Sequence, residues 1–97
     1  MTIARHYRMD AAEGKRKELA SALTALVVLL DGVPGFEGAD LLCGVDEPNR
    51  FTFVERWASI EAHRQGTPWL PKDAFARVMA SIAGKPEVCY LNYLPLG

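Results

Sequence analysis

The run Arg50-Phe51-Thr52-Phe53-Val54-Glu55-Arg56-Trp57 alternates strictly, and it limits the fold more than any other stretch of the chain. Successive side chains of a strand point to opposite faces. Phe51, Phe53, Glu55 and Trp57 therefore share one face, and Thr52, Val54 and Arg56 share the other. Large aromatics on one side require a covering layer, whereas the other side is mixed. The frame this predicts is a sheet with helices on one face and no cover from its own chain on the other. A carboxylate inside the aromatic row must be paired, or lie near a rim or an interface. Arg5 or a residue of a second subunit is the expected partner of Glu55, in a structural ion pair rather than as a catalytic base.

The rest of the chain supplies the neighbours of that strand. Residues 2–9 also alternate, with Ile3, Arg5, Tyr7 and Met9 on one face and Thr2, Ala4, His6 and Arg8 on the other, so a first strand is expected there. Asp10 stands three residues before Glu13, a capping-box arrangement. It predicts a helix running to about Leu30, with Leu19, Leu23, Leu26, Val27 and Leu30 as its apolar stripe. Gly32 and Pro34-Gly35 stop it. A second strand over 36–45 reaches the long alternating strand through the turn Asp46-Glu47-Pro48-Asn49, which makes an antiparallel hairpin. Ser59 caps a short helix to Gln65, ended by Gly66. Thr67-Pro68 breaks the chain, and Pro71 suits the first turn of another helix. That helix carries Phe75, Val78, Met79 and Ile82 on one stripe and is ended by Gly84 and Pro86. A last strand is expected over 88–94. The order β-α-β-β-α-β is the ferredoxin-like one, an α+β fold whose four antiparallel strands lie in the order 4-1-3-2.

With 97 residues, one domain over 1–97 is expected. Lys+Arg number 11 against Asp+Glu 12, a net charge of −1, so there is no cationic surplus to hold nucleic acid or an acidic membrane. The apolar run 23–30 behind Lys15-Arg16-Lys17 is too short to span a bilayer and lacks a signal-peptide cleavage site. Cys43 and Cys89 would sit on opposite edges of the sheet, three strand spacings or roughly 14 Å apart, beyond disulfide reach. Both are expected as free thiols, which suits a reducing cytoplasm. No metal-ligand spacing, phosphate loop or nucleophile elbow is present in the sequence. The strand Arg50–Trp57 resembles the third strand of RNA-recognition motifs, which share this element order. It lacks the glycine after the basic residue, however, and the first strand offers only Tyr7 for base stacking.

A broader resemblance runs almost end to end. Val33-Pro34-Gly35-Phe36 after the long helix, the Asp46-Glu47-Pro48 turn, and Phe53-Val54-Glu55-Arg56-Trp57 leading into Ser59-Ile60-Glu61-Ala62 together resemble the antibiotic biosynthesis monooxygenase family. That resemblance implies a dimeric α+β barrel, a homodimer closed through the open sheet face, with a pocket between sheet and helices in each subunit. It implies a cofactor-independent monooxygenase that uses O2 on a small aromatic or quinol-like substrate, with neither a metal nor a cofactor of its own. The residues it implies as catalytic are Arg77, stabilising an anion, His63, moving a proton, and Trp57 in the pocket wall. Tyr7, Phe53, Trp69, Phe75 and Met79 complete the expected substrate pocket. The plainer readings are a surface arginine, a solvated histidine and a core tryptophan. Many family members carry a His nine or ten residues after this Trp, where Gly66 and Thr67 stand here; in related haem-degrading enzymes that His ligates iron. His6-Tyr7 also lacks the first-strand Asn of those enzymes, so haem degradation is not expected. A fold of this kind hosts several activities. A non-catalytic ligand-binding dimer and an isomerase or cyclase are the alternatives.

Overall fold

The computed structural model describes residues 1–96. Four strands, β1 (Ile3–Ala11), β2 (Phe36–Cys43), β3 (Arg50–Trp57) and β4 (Ile82–Asn92), form one antiparallel sheet in the order β2-β3-β1-β4. This is the expected ferredoxin-like arrangement. Three helices accompany the sheet, α1 (Arg16–Leu30), α2 (Ile60–Gly66) and α3 (Lys72–Met79), with a 3-10 turn at Thr67–Trp69 between the last two.

β3 behaves as its alternation requires: Phe51, Phe53, Glu55 and Trp57 are buried and the intervening residues are half-buried. Leu19, Leu23, Leu26 and Leu30 of α1 pack into the same core. Trp57 lies against the end of α2 so closely that a Cβ on Gly66 would come within 2.6 Å of its ring. No side chain larger than hydrogen fits at that position without moving the tryptophan, so the ring occupies the space that a His there would need. Ser59 caps α2 as expected, its hydroxyl accepting from the Ala62 N–H at 3.0 Å.

Several boundaries differ from expectation, among them the end of β4 at Asn92 rather than Leu94. The proposed capping box at Asp10 does not form. Asp10 continues β1 opposite Arg50, its carboxylate 3.3 Å from the Arg50 guanidinium, and α1 starts later, after a turn through Gly14 at φ +75°. Cross-strand ion pairing holds Asp10 in the sheet where a cap would require it to leave. β2 ends at Cys43, short of Val45, which is fully exposed. The last helix stops at Met79, and Ile82 opens β4 opposite Ala11 instead of extending the helical stripe. Gly84 and Pro86 therefore lie inside a strand. The ladder tolerates them because β4 is an edge and its register slips opposite Met9, a bulge that absorbs the missing donor.

The face away from the helices carries Ala4, His6, Val54, Leu42, Cys89 and Leu91, with Leu42 and Leu91 about half exposed. Cys43 and Cys89 are free and exposed, on opposite edge strands. No helix among the described residues is long and apolar enough to cross a membrane.

Candidate functional site

The helix-side face of the sheet holds two adjacent cross-strand rows. In one, Phe53, Tyr7 and Val88 stand side by side on β3, β1 and β4; in the next, Glu55, Arg5 and Tyr90 do. Such a polar row inside an apolar core must be satisfied locally. Part of the answer comes from α2, whose cap at Ser59 directs its first turn so that His63 stands over the row.

Trp57 Nε1 donates to Glu55 Oε1 at 2.8 Å. The two ring nitrogens of His63 serve different neighbours. Nδ1 lies 2.7 Å from the Tyr90 hydroxyl, while Nε2 faces the Tyr7 hydroxyl at 3.5 Å and Glu55 Oε1 at 3.9 Å. Edge-to-face contacts with Trp57 and Tyr90, each with ring centroids 5.4 Å apart, fix the imidazole plane. The Arg5 guanidinium stacks over Tyr90 at 4.5 Å and over Tyr7 at 5.4 Å. Its Nε is buried without a hydrogen-bond partner. The expected Arg5–Glu55 ion pair is therefore replaced: Arg5 stands beside Glu55 in the row but gives its face to the tyrosines, and Glu55 takes the Trp57 N–H.

Burial sets the protonation states. It pushes the Glu55 carboxyl up to about 7, although the Trp57 N–H, the Arg5 charge and Tyr7 all pull it down. His63 is pushed down to about 4, first by burial and then by the cations of Arg5 and Arg64. Burial, reinforced by Glu55, raises the Tyr7 phenol well above its ordinary value, so it stays un-ionised. Between about pH 4 and 7 both Glu55 and His63 are neutral, and their 3.9 Å approach is not an ion pair.

These two shifts make opposite contributions to stability. The raised Glu55 stabilises the fold below its ordinary value of 4.5, and that contribution is lost as pH rises to about 7. The depressed His63 stabilises the fold above its ordinary value of 6.5, and that contribution is lost as pH falls to about 4. Each slope is about 1.4 kcal/mol per pH unit, and where the windows overlap they cancel. Urea denaturation across this range should find the wild type nearly flat. Glu55→Gln should become more stable with rising pH, and His63→Gln less stable. Parallel profiles for the two variants would contradict the assignment.

Beside the polar row lies an apolar chamber of about 160 Å³, walled by Tyr7, Phe53, Leu23, Phe75, Met79 and Val88 among others. A second space of about 10 Å³ lies among Tyr7, Glu55, Trp57, His63 and Phe75. It is the size of a single water. Tyr7 and Phe75 line both, so the phenol of Tyr7 is where the apolar chamber meets the titratable groups. An apolar cavity of roughly 150 Å³ suffices for a benzene ring.

Of the residues expected at the site, Tyr7, Phe53, Phe75 and Met79 line the chamber, and Trp57 and His63 line the small space beside it. Trp69 lies outside both spaces, 64% exposed on the 3-10 turn. Arg77 lies outside as well. Val78 is the buried residue of α3, and one residue is about 100° of helix rotation, so Arg77 points instead into an open surface cleft beside Lys17 and Glu18 of α1. Arg5 and Glu55 are functional candidates for which the sequence suggests only a structural pairing, and Tyr90 is one that the sequence does not single out. A usable signal existed for Arg5, a cation on a strand face otherwise made of Ile3, Tyr7 and Met9. Nothing local marks Tyr90, whose importance comes from its register with Arg5. Among the described residues no cluster of three His, Cys, Asp or Glu is set to hold a metal ion.

Comparison with known proteins finds the antibiotic biosynthesis monooxygenase family model matching residues 2–83. Among solved structures, SnoaB, a cofactor-independent oxygenase from Streptomyces nogalater, superposes with a TM-score of 0.86 at 18% identity, covering 98% of this chain and 95% of that one. Rv0793 from Mycobacterium tuberculosis gives 0.79 at 22% identity, over 99% and 98% of the two chains. PA3566 from Pseudomonas aeruginosa gives 0.79 at 20%, over 97% and 95%. At these identities the likeness to solved structures is one of fold. No curated protein sequence matches the chain significantly.

Proposed function

The chain belongs to the antibiotic biosynthesis monooxygenase family, and from that premise we propose that it is a cofactor-independent monooxygenase acting on a one-ring phenol or hydroquinone. The observation that carries this reading is the junction at Tyr7. An apolar pocket with room for a single aromatic ring meets there a small space that holds a neutral imidazole and a carboxyl group poised near neutrality. The solved oxygenase of the same fold supports the class of reaction.

In the proposed reaction the ring supplies every electron. The substrate's hydroxyl proton leaves toward His63 Nε2, and the electron-rich phenolate reduces O2. A ring carbon that carried hydrogen gains one oxygen atom as a carbonyl. The other oxygen leaves as water with the two hydrogens lost, so phenol plus O2 gives quinone plus water. No external reductant enters the balance. The protein's share is positioning and electrostatics. Phe53, Phe75 and Met79 hold the ring and exclude water, and the Arg5 guanidinium, stacked over Tyr7 beside Glu55, favours the anion over the neutral phenol. Arg77 and Trp69 take no chemical part.

Oxygen-electrode measurements with a panel of hydroquinones test this. Methylhydroquinone should be oxidised without added reductant, and three-ring substrates should be rejected because the chamber cannot hold them. Binding of one-ring phenols without oxygen uptake would indicate a ligand-binding protein, and anaerobic conversion an isomerase or cyclase. We further propose that two subunits close through the open sheet face, where Leu42 and Leu91 are half exposed, in a reducing compartment that suits the two free thiols.

A further inference from the structure

We propose that Tyr90 is the outer member of a proton relay, running from the substrate hydroxyl through His63 to Tyr90, that carries the substrate's proton from the chamber to solvent. The inference rests on the reading above for its substrate and on the geometry for its path.

Tyr7, His63 and Tyr90 form a line. Tyr7 is in the chamber wall, His63 stands behind it, and Tyr90 is half-buried on the edge strand β4. The two links differ in strength. The contact of Tyr7 with Nε2 is long, 3.5 Å, and loose enough for a substrate hydroxyl to compete for it. The contact of Nδ1 with Tyr90 is short, 2.7 Å. Both neighbours of Nε2 have protons to give: the Tyr7 phenol is un-ionised, and Glu55 is protonated up to about pH 7. Nε2 is then the acceptor. The single ring proton belongs on Nδ1, and the Tyr90 oxygen receives it, leaving the Tyr90 hydroxyl proton free for water.

This arrangement resolves a mismatch. A histidine held near 4 is a poor resting place for a proton taken from a phenol. Burial and the Arg5 cation both oppose an imidazolium at this position. A relay avoids forming one. As a proton arrives at Nε2, the Nδ1 proton passes to the Tyr90 oxygen and the Tyr90 proton passes to solvent, so the imidazole is neutral before and after. The same path run in reverse restores the first tautomer: Nε2 gives its proton to the peroxide formed from O2, and Tyr90 returns a proton to Nδ1 and takes one from solvent, which supplies one of the two hydrogens of the water produced. In each direction one proton enters, one leaves, and no electron moves. Glu55, 3.9 Å from Nε2, is the competing destination.

Two measurements decide between these paths. Nitrogen-15 NMR of the imidazoles at pH 7 should find His63 of the wild type protonated on Nδ1, with that preference lost in Tyr90→Phe, whose ring can still stack on Arg5. With methylhydroquinone, Tyr90→Phe should lower kcat about tenfold or more, a share of the 10²–10⁴-fold that proton transfer supplies, while KM changes less than about twofold. A wild-type His63 protonated on Nε2 overturns the relay. So does a Tyr90→Phe enzyme with unchanged kcat, above all if Glu55→Gln has lost it, since the proton then goes to the carboxylate. If the wild type consumes no oxygen with any hydroquinone, the proposed reaction fails while the NMR measurement still decides the relay.

Discussion

Replacing His63 with glutamine is expected to lower oxygen consumption with methylhydroquinone by about 10²–10⁴-fold in kcat, the range lost when a positioned acid–base group is removed. Glutamine keeps a polar side chain over the row but cannot exchange one ring proton for another. The ring walls contributed by Phe53, Phe75 and Met79 are untouched, so KM should change little. A fall in kcat with constant KM, and a variant that still unfolds cooperatively in urea, is the expected pair of results. A large rise in KM with constant kcat would mean that His63 only shapes the chamber. Arg77→Ala is the natural control: Arg77 faces the cleft beside Lys17 and Glu18, and its removal should leave turnover within about twofold, a small change of well under 1 kcal/mol.

Trp57→Ala is expected to produce the largest loss of stability, about 3–5 kcal/mol, the range for truncating a buried large aromatic. Trp57 is 1% exposed and packs against Phe36, His63 and the backbone at Gly66. At about 4–8 °C per kcal/mol for a domain of this size, Tm should fall by at least about 12 °C. The effect has a second part, because the Trp57 N–H is the hydrogen bond that holds the Glu55 carboxyl down. In Trp57→Phe, which keeps most of the burial and loses the N–H, Glu55 should titrate higher than in the wild type, which NMR of the carboxyl carbon can follow. Trp57→Phe separates the two contributions: most of the apolar volume stays and the N–H goes. A Phe variant as unstable as the Ala variant would show that the hydrogen bond outweighs the packing.

The element order and the buried face of β3 were legible because both are local. Strict alternation at 50–57 marks a half-buried strand wherever it is placed, and spacings of three and four at Leu19, Leu23, Leu26 and Leu30 mark a helix with one covered side. The element boundaries were less legible where a partner elsewhere in the chain decided them. Asp10 has the spacing of a helix cap, yet Arg50, forty residues away, holds it in the sheet. Pro86 reads as a helix stop, yet a bulge opposite Met9 lets β4 carry it.

The site divides in the same way. Strand and helix periods put Tyr7, Phe53, Phe75 and Met79 on the faces between sheet and helices, because periods are properties of short segments; the pocket itself came from the family resemblance. That Glu55 would meet Trp57 and His63 in place of Arg5, that Tyr90 would stand in register with Arg5, and that Arg77 would turn away toward α1 depended on strand register and on the rotation of short helices about their axes. Those quantities follow from packing between segments far apart in sequence. A period of two or of 3.6 determines which side of an element is buried, but only the assembled core determines which two buried groups touch.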